Sequence, residues 1–312
     1  MKEPLVYVIL LTYNGKKNLE YCLPSILKTK YSNFKILLID NASSDGSSDY
    51  AKINFPKVKV MTLNKNKGYA GGNNVGIKYA LRKGAKYIIL QNDDTLVDPR
   101  WIAEGVRVME SDPLTGMLDY DIVGKFKAGS LKVFRKKQKA LKKIRVKNTR
   151  LIRGCCLLVR SELFQSIGMF DETFFAYGEE SDLNHRALQA GYKLKIINVP
   201  VFHHYEGTFS KMKLRASYLT MRNIIRLAVK NYNFFLIIKT TLFVFNTALN
   251  PFKKVHNNRF LKRLRPKNPL FNLIILVPAV AWNIIFLPHT LFLRVIDEIK
   301  IRNTRRKLKN LK

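Results

Sequence analysis

The sequence predicts an α/β fold, in which a mostly parallel sheet carries helices on both faces and a basic, helical region follows. Three observations support this prediction. Short apolar runs recur at intervals of about 30 residues, helical patterns separate them, and the composition changes after residue 210. Strands that alternate with helices in this way are typical of βαβ units, which build parallel sheets.

The first strand is predicted at Leu5–Leu11, an uncharged run that matches a strand buried on both faces. Leucines and an isoleucine at helical spacing follow in Leu19–Leu27 and predict a helix. The other three strands are predicted at Phe34–Ile39, Val58–Leu63 and Tyr87–Leu90. Polar residues follow each strand, at the sheet edge where α/β proteins bind ligands. We therefore expect a binding site along this edge.

The charge of the chain indicates an anionic neighbour. The net charge is +34 over 312 residues, and residues 211–312 contribute 22 Lys and Arg against 2 acids. Nucleic acid and acidic lipid headgroups are the surfaces that such a charge attracts. Residues 125–153 hold 13 basic residues and no acid, which predicts a solvated loop. With 47% hydrophobic residues, the chain is not a disordered polymer.

Two apolar segments in the C-terminal third indicate attachment to a membrane. Phe234–Leu249 is largely apolar, and Leu270–Leu293 contains 24 residues without a formal charge. The second segment is long enough to span a bilayer, but its prolines favour a kinked, re-entrant or interfacial helix. Basic clusters at Lys253–Lys267 and Arg302–Lys312 flank it. We expect peripheral or single-helix attachment to an anionic membrane surface.

The three cysteines form neither a disulfide framework nor a metal-binding spacing, which indicates a reducing compartment. The N-terminus leads directly into a strand-like run and shows no secretory signal. We therefore expect the catalytic part to face the cytoplasm.

Two adjacent carboxylates follow the fourth strand, in Asn92-Asp93-Asp94. Carboxylates at the end of a strand hold a divalent cation against a phosphate-bearing ligand in many α/β proteins. The same residues are also good turn and cap formers, so the motif by itself fits a cation site or a simple turn. The glycine-rich stretch Asn66–Gly76, interpreted as a phosphate-binding loop, favours the cation site.

Over about residues 4–230, the chain resembles the family-2 glycosyltransferases of GT-A fold, especially their rhamnosyltransferase-like branch. The resemblance rests on ordered motifs at suitable spacing. They are Thr12-Tyr13-Asn14, Asp40-Asn41 with Ser43, Asp45, Gly46 and Ser47, Asn66–Gly76, Asn92-Asp93-Asp94, Arg153-Gly154-Cys155-Cys156, Gly168–Glu172, Glu179–Leu183, Val201-Phe202-His203 and Arg222-Asn223.

The resemblance implies an inverting, metal-dependent hexosyltransferase. Such an enzyme moves a sugar from a nucleotide-diphosphate donor, a dTDP- or UDP-sugar, to an acceptor hydroxyl. The acceptor is expected to be a lipid-linked (polyprenyl) or cell-surface glycan on the cytoplasmic face of the membrane. The catalytic domain is assigned to residues 1–230, and the membrane-associating region to residues 231–312.

The resemblance also implies roles for individual residues at the metal site. Asp94 is the expected carboxylate ligand of Mg²⁺ or Mn²⁺, and His203 completes the metal shell, with His204 as its rival. Asn92 stands where the family usually has the first Asp of Asp-x-Asp, so it is not expected to bind the ion. Asp93 is placed near the ribose or the metal.

The general base is expected in the acid cluster that begins at Glu179. Glu180 matches the second member of the family's Glu-Asp pair, with Glu179 and Asp182 as alternatives. The cluster is also typical of a helix start, because acids favour the first turn of a helix. Both interpretations hold together, since a base at a helix N-terminus is held rigidly.

The nucleotide site implied by the resemblance begins with Asp40, which matches a carboxylate that reads the base. Its expected neighbours are Thr12, Tyr13, Asn14, Asn41, Gly68, Gly71, Asn73 and Asp93. On the acceptor side, Tyr205, Arg222 and Asn223 are candidates that are equally compatible with structural roles.

Two competing hypotheses remain at this point. A sugar-phosphate nucleotidyltransferase shares the sheet, metal and nucleotide, but Leu11–Gly15 lacks the basic Gly-rich loop that usually follows its first strand. A nucleic-acid-binding protein would explain the charge. However, the basic residues lie beside apolar helices, and acid-rich loops repel a phosphate backbone, so no nucleic acid partner is expected.

Overall fold

The computed structural model describes residues 3–124, 129–204, 213–249 and 269–310. The strands are β1 (Val6–Thr12), β2 (Phe34–Asp40), β3 (Lys59–Thr62), β4 (Tyr87–Asn92), β5 (Thr95–Val97), β6 (Thr115–Gly124), β7 (Val146–Thr149), β8 (Cys156–Arg160) and β9 (Lys193–His203). The α-helices are α1 (Lys16–Leu27), α2 (Ser47–Asn54), α3 (Gly68–Arg82), α4 (Trp101–Glu110), α5 (Ser130–Ala140), α6 (Ser161–Ile167), α7 (Glu179–Ala190), α8 (Lys213–Asn231), α9 (Phe234–Leu249), α10 (Pro269–Ile285) and α11 (Leu287–Lys309). The four strands predicted first, and the helix after β1, are confirmed.

One sheet runs in the order β3-β2-β1-β4-β8-β6-β9-β5, and β7 pairs with β9. Strands β1 to β4 pair in parallel, as do β6 and β9. The pairs β4–β8, β6–β8, β5–β9 and β7–β9 are antiparallel, so the sheet is mixed, and the predicted parallel arrangement holds for β1 to β4 and for the β6–β9 pair. Apolar content predicts that a strand is buried, but it does not set the strand's direction.

Helices cover both faces of the sheet, as predicted. One core cluster packs α1 and α4 on the sheet through residues such as Leu23 and Trp101. The cluster on the other face contains Ile77 of α3 and Leu183 of α7, and Ile301 of α11 joins it. The last helix is therefore packed on the α/β domain.

The glycine-rich stretch is not a loop, because helix α3 starts at Gly68. Gly72 and Gly76 face the first strand. An added Cβ would lie 2.5 Å from Leu11 Cδ1 at the first position and 2.5 Å from Ile9 Cγ2 at the second. The glycines therefore let α3 lie very close to β1, and a phosphate-binding loop is not what these two positions form.

The basic segment 125–153 is also not a simple loop. Its described part contains α5 and β7, and β7 extends the sheet by pairing with β9. Residues 125–128 lie outside the described residues. The lack of acids in this segment therefore indicated a solvent-exposed surface, but it did not exclude helices or strands.

The C-terminal helices form a third cluster with α8. Met221 of α8, Val244 of α9 and Leu276 of α10 are buried together. Within the described ranges no individual helix is both long and apolar enough to cross a bilayer, whereas Asn272–Ile285 and Leu287–Lys309, bent by 60°, meet these criteria as a pair. The cluster Lys253–Lys267 lies outside the described residues, and the division at residue 231 stays a prediction.

Candidate active site

Three parallel strands end together at one edge of the sheet. Thr12 of β1 is in register with Asp40 of β2, and Leu11 is in register with Asn92 of β4. The sequence order of the strands reverses between β1 and β4, and open α/β sheets bind ligands at such a point. The polar clusters that follow the first, second and fourth strands in the sequence therefore meet at this edge.

Asp94 and His203 are neighbours at this edge, although 109 positions separate them in the sequence. His203 Nε2 lies 3.1 Å from Asp94 Oδ1, and both residues are buried. Pairing of β5 with β9 creates this contact, because Thr95 is in register with His203. The ring of His204 instead packs against the Tyr21 ring, with centroids 4.5 Å apart. Of the two histidines, His203 is therefore the one beside the carboxylates.

This pair fits a small divalent cation. A carboxylate oxygen and an imidazole nitrogen suit Mn²⁺, and ions of this kind usually share their shell with substrate phosphates. Among the described residues, no group of three or more His, Cys, Asp or Glu is placed to hold an ion.

Asp93 points away from this pair, towards the loop after β1. Thr12 Oγ1 donates to Asp93 Oδ2 at 2.5 Å, and Asn18 Nδ2 donates to Asp93 Oδ1 at 3.2 Å. Burial, with the charge of Asp94, raises the pKa of Asp93 to about 7. Any side chain at Gly15 would collide with this carboxylate, so the glycine is needed for the close approach.

The loops after β1 and β2 hold each other in place. Asp40 Oδ1 accepts from the Ser43 amide at 2.9 Å, and Asn14 Oδ1 accepts from the Ser44 amide at 2.8 Å. Asn14 has φ of 51°, a left-handed conformation that asparagine tolerates. Thr12, Tyr13 and Asn14 are therefore brought next to Asp40, as the predicted nucleotide site requires.

Asn41 joins the end of β2 to the start of α3. Its amide nitrogen donates to Asn66 Oδ1 and to the Gly68 carbonyl, each at 3.0 Å. Its oxygen accepts from the Lys67 amide at 2.9 Å. Gly68 is thereby tied to this edge, whereas Gly71 and Asn73 are buried farther along α3, where Asn73 donates to the Tyr69 carbonyl.

The predicted base lies on the first turn of α7. Gly178 precedes the helix with φ of 112°, and Glu179 and Glu180 are its first residues. The Glu180 carboxylate lies against Gly154, where any Cβ would collide with it, and Tyr69 Oη donates to the Gly154 carbonyl. Burial raises the pKa of Tyr69 well above its usual value, and the charges of Glu180 and Glu179 raise it further. Glu180 therefore lies beside two motifs that the sequence separates widely.

Asp182 lies in the same turn but belongs to a buried ion network. Arg186 lies 2.9 Å from its Oδ2, and Lys230 of α8 lies 3.0 Å from its Oδ1. Burial alone would raise the pKa of Asp182, but the charges of Arg186 and Lys230 outweigh it and hold the pKa well below its usual range. Asp297 of α11 joins the network at 3.0 Å from Lys230 Nζ.

The segment just before α7 contains a strained turn. The Ala176 amide donates to the Phe174 carbonyl at 2.7 Å, which closes a γ-turn, and the central residue Phe175 has φ of 63° and ψ of −62°. Tyr177 also has a positive φ, of 70°. Such conformations persist only where the surroundings enforce them.

Arg222 and Asn223 of α8 hold this turn in its strained conformation. Arg222 Nη2 donates to the carbonyls of Thr173 and Phe174, each at 2.8 Å. Asn223 Nδ2 lies 2.9, 2.8 and 2.6 Å from the carbonyl oxygens of Phe174, Ala176 and Tyr177. The pair therefore holds the turn that leads to the base, which is the structural role that the sequence left open beside an acceptor-side one. Tyr205, the third acceptor-side candidate, lies outside the described residues.

The sequence interpretation missed Asp119 of β6. This side chain is buried, and it accepts from the amides of Tyr120 at 2.8 Å and Arg153 at 3.2 Å. Burial raises its pKa to about 7. Arg153 precedes Gly154, so Asp119 supports the segment that contacts Glu180. The sequence offered one sign of this residue, an acid inside the run that forms the buried strand β6.

Comparisons with known proteins identify the family and the fold of the chain. The sequence profile of "Glycosyl transferase family 2" matches residues 7–168. The Escherichia coli UDP-Glc:alpha-D-GlcNAc-diphosphoundecaprenol beta-1,3-glucosyltransferase WfgD is 29% identical over 140 residues, which is 41% of this chain and 53% of that protein. Curated relatives of this kind are matched over little more than half of their own length.

A Mycobacterium tuberculosis N-acetylglucosaminyl-diphospho-decaprenol L-rhamnosyltransferase is 26% identical over 233 residues, which is 63% of this chain and 75% of that protein. Among solved structures, the mannosyltransferase PcManGT from Pyrobaculum calidifontis, in complex with GDP-Man and Mn²⁺, superposes with a TM-score of 0.56. It is 18% identical, and the match covers 100% of this chain and 88% of that one. The likeness shows that the two proteins share the GT-A fold.

Proposed function

Because the chain belongs to glycosyl transferase family 2, we propose that it transfers a hexose, with inversion, from a dTDP- or UDP-sugar to an acceptor hydroxyl. The observation that carries the proposal is the meeting of Asp94, His203 and the Thr12–Asn14 loop at one sheet edge. The named relatives act on polyprenyl-diphosphate-linked acceptors. A lipid-linked glycan is therefore the proposed acceptor.

Asp94 and His203 are the proposed ligands of Mg²⁺ or Mn²⁺. When bound, such an ion supplies Lewis-acid stabilisation to the diphosphate leaving group. On the nucleotide side, the Asp40 carboxylate is proposed to read the base, and the Thr12–Asn14 loop to line its pocket. Asp93 keeps this loop in place through the hydrogen bond from Thr12, which fixes the donor relative to the sheet.

Glu180 is the proposed general base, which takes the proton from the acceptor hydroxyl. Both Asp182 oxygens already contact cations, and Glu179 is almost completely buried. Glu180 is partly exposed and lies beside Gly154. It is therefore the acid of the cluster that an acceptor reaches most directly, and the rigid start of α7 fixes its direction.

Nucleoside-diphosphate release from dTDP- and UDP-sugars with Mn²⁺ tests both roles. We expect Asp94→Ala to abolish metal-dependent release, whereas Asp49→Ala, an exposed acid on α2, should behave as wild type. Glu180→Gln should lower kcat by about 10²–10⁴-fold with little change in donor binding. Glu162→Gln, on the exposed start of α6, is its matched control. Full activity of Asp94→Ala would contradict the assignment of Asp94 as a metal ligand.

The proposed location is the cytoplasmic face of the cell membrane. The support is the composition of residues 211–312, where 22 basic residues stand beside long apolar helices with only 2 acids. Such a region is attracted to anionic headgroups, and its apolar side chains add affinity for the interface.

A further inference from the structure

Helices α9 and α10 are apolar on two opposite faces. The inner face of α10 is buried against α8 and α9 through Ile275, Leu276 and Ala279. These positions recur at helical spacing, and the side chains between them point outwards. A helix with one polar and one apolar face would suffice for packing on α8, so the second apolar face needs another partner.

The outer face is unusually exposed. We define the docking face by six large apolar side chains with exposed fractions between 62% and 78%. They are Phe234 and Phe235 of α9, Ile274, Val277 and Ile285 of α10, and Phe292 of α11. Soluble proteins rarely leave so many large apolar side chains in water, and such exposure marks an interaction surface.

Helix α10 lies along the protein at both of its ends. Near its start, Asn272 Nδ2 donates to the Ala248 carbonyl of α9 at 2.6 Å. Near its end, Asn283 Nδ2 donates to the Arg222 carbonyl of α8 at 2.9 Å. Arg222 in turn holds the turn before the base. These bonds tie α10 to α9 at one end and to α8 at the other, which favours a helix that lies along the protein.

Charge identifies the partner. Beyond Phe292, helix α11 presents basic side chains to solvent, among them Arg302, Arg305 and Arg306. The chain from residue 211 onwards has a net charge of +20, from 22 basic and 2 acidic residues. Apolar side chains next to a surface with a large excess of basic over acidic residues match the acyl and headgroup layers of an anionic bilayer.

We propose that α9, α10 and the start of α11 lie in the plane of an anionic membrane, with the docking face against the acyl chains and no helix crossing the bilayer. The proposal rests on the proposed membrane location and makes it specific. It also sets the orientation of the enzyme, because α8 lies between the membrane-facing helices and the turn that leads to Glu180.

Flotation of the full-length protein with vesicles tests the contact. The probes are phosphatidylcholine vesicles with and without about 30% phosphatidylglycerol. Ile274→Glu and Ile285→Glu should each lower the partition coefficient about tenfold or more, because a charge replaces a lipid-facing side chain. Ile53→Glu, at an equally exposed apolar position on α2, should partition as wild type. Unchanged flotation of both α10 variants overturns the proposal.

Nucleoside-diphosphate release from the nucleotide sugar, measured without lipid, shows whether each variant is folded. The same assay separates a failure of the proposed function from a failure of the docking proposal. Variants that release nucleoside diphosphate normally but do not float support the docking face. An inactive wild type that floats normally would count against the transferase and not against docking. Sedimentation without lipid tests whether a second copy of the chain covers the docking face instead of a membrane. If the protein is a dimer that Ile274→Glu dissociates, and if flotation of this variant is unchanged, the proposal is overturned in favour of a second copy.

Depth measurements distinguish an in-plane helix from a spanning one. A fluorophore on cysteine introduced at position 274 or 285 is quenched by lipids labelled at shallow or deep acyl positions, and the three native cysteines are buried. Residues 274 and 285 are about 16 Å apart along the helix axis, from the rise of about 1.5 Å per residue. An in-plane α10 gives both probes the same shallow depth. A difference near the full separation would show a spanning helix and overturn the proposal.

Discussion

Asn223 offers a sharp test of how the base is positioned. Its side chain is 0% exposed, and its amide nitrogen lies within 2.9 Å of three carbonyl oxygens of the strained turn. Asn223→Ala removes both N–H donors, and the Ala176 and Tyr177 carbonyls and the Arg222 Nε donor each lose this partner, whereas the Phe174 carbonyl keeps its bond from Arg222 Nη2. A buried polar group that loses its partner costs about 1–3 kcal/mol, so we expect a loss of about 2–4 kcal/mol in the free energy of unfolding.

Catalysis should fall further than stability explains. Released from Asn223, the turn at Phe175 can relax from its positive φ, and Glu180 then loses its fixed direction. We expect kcat to fall about 10–100-fold at a temperature where the variant is fully folded, with the KM for the donor nearly unchanged. Asn303→Ala, at an exposed position on α11, is the control. Urea unfolding and steady-state kinetics measure the two effects, and a variant with normal kcat would refute the positioning role.

Three further predictions concern packing, pH and the ion network. Gly76→Ala should destabilise the fold by about 1–3 kcal/mol in urea, because its Cβ meets Ile9 at 2.5 Å, although alanine is the better helix former. Burial raises the pKa of Asp119 to about 7, above about 3.9 in the unfolded chain. Its contribution to the free energy of unfolding is therefore complete below about pH 4 and is lost as the pH rises through about 7. Asp119→Asn should make the free energy of unfolding depend less steeply on pH across that range. Lys230→Met leaves Asp171 and Asp182 short of a buried cation and should cost about 3–5 kcal/mol in thermal unfolding, and an unchanged melting temperature would contradict that estimate.

The positions of the strands and of the binding edge followed from the sequence because burial is a local property. A strand buried on both faces, such as Val6–Thr12, is apolar along nearly its whole length, and the polar residues begin at its end. The direction of β8 is not local. It depends on pairing between Leu90 and Leu157, and the same apolar composition suits parallel and antiparallel neighbours.

The role of a side chain could be predicted where it belongs to a family motif. It could not be predicted where the role depends on tertiary packing. Asp94 and His203 were named from family motifs, and the sheet brings them together. Gly72 was interpreted as part of a phosphate loop because glycine suits loops, but its role here is close contact between a helix and a strand. Asp119 was missed because nothing in the surrounding sequence shows that the amide of Arg153 approaches it.

Helix α8 gives the catalytic and C-terminal regions a shared element. One side of it, with Arg222 and Asn223, holds the turn before the base, while Lys230 pairs with Asp182 on the base helix itself. Its other side, at Met221, is buried against α9 and α10. These contacts lie within a few turns of one helix, so a shift of α8 would move the docking helices and the base segment together. The rigidity that aims Glu180 therefore depends on the same packing that presents the docking face, and attachment and catalysis are properties of one structural unit.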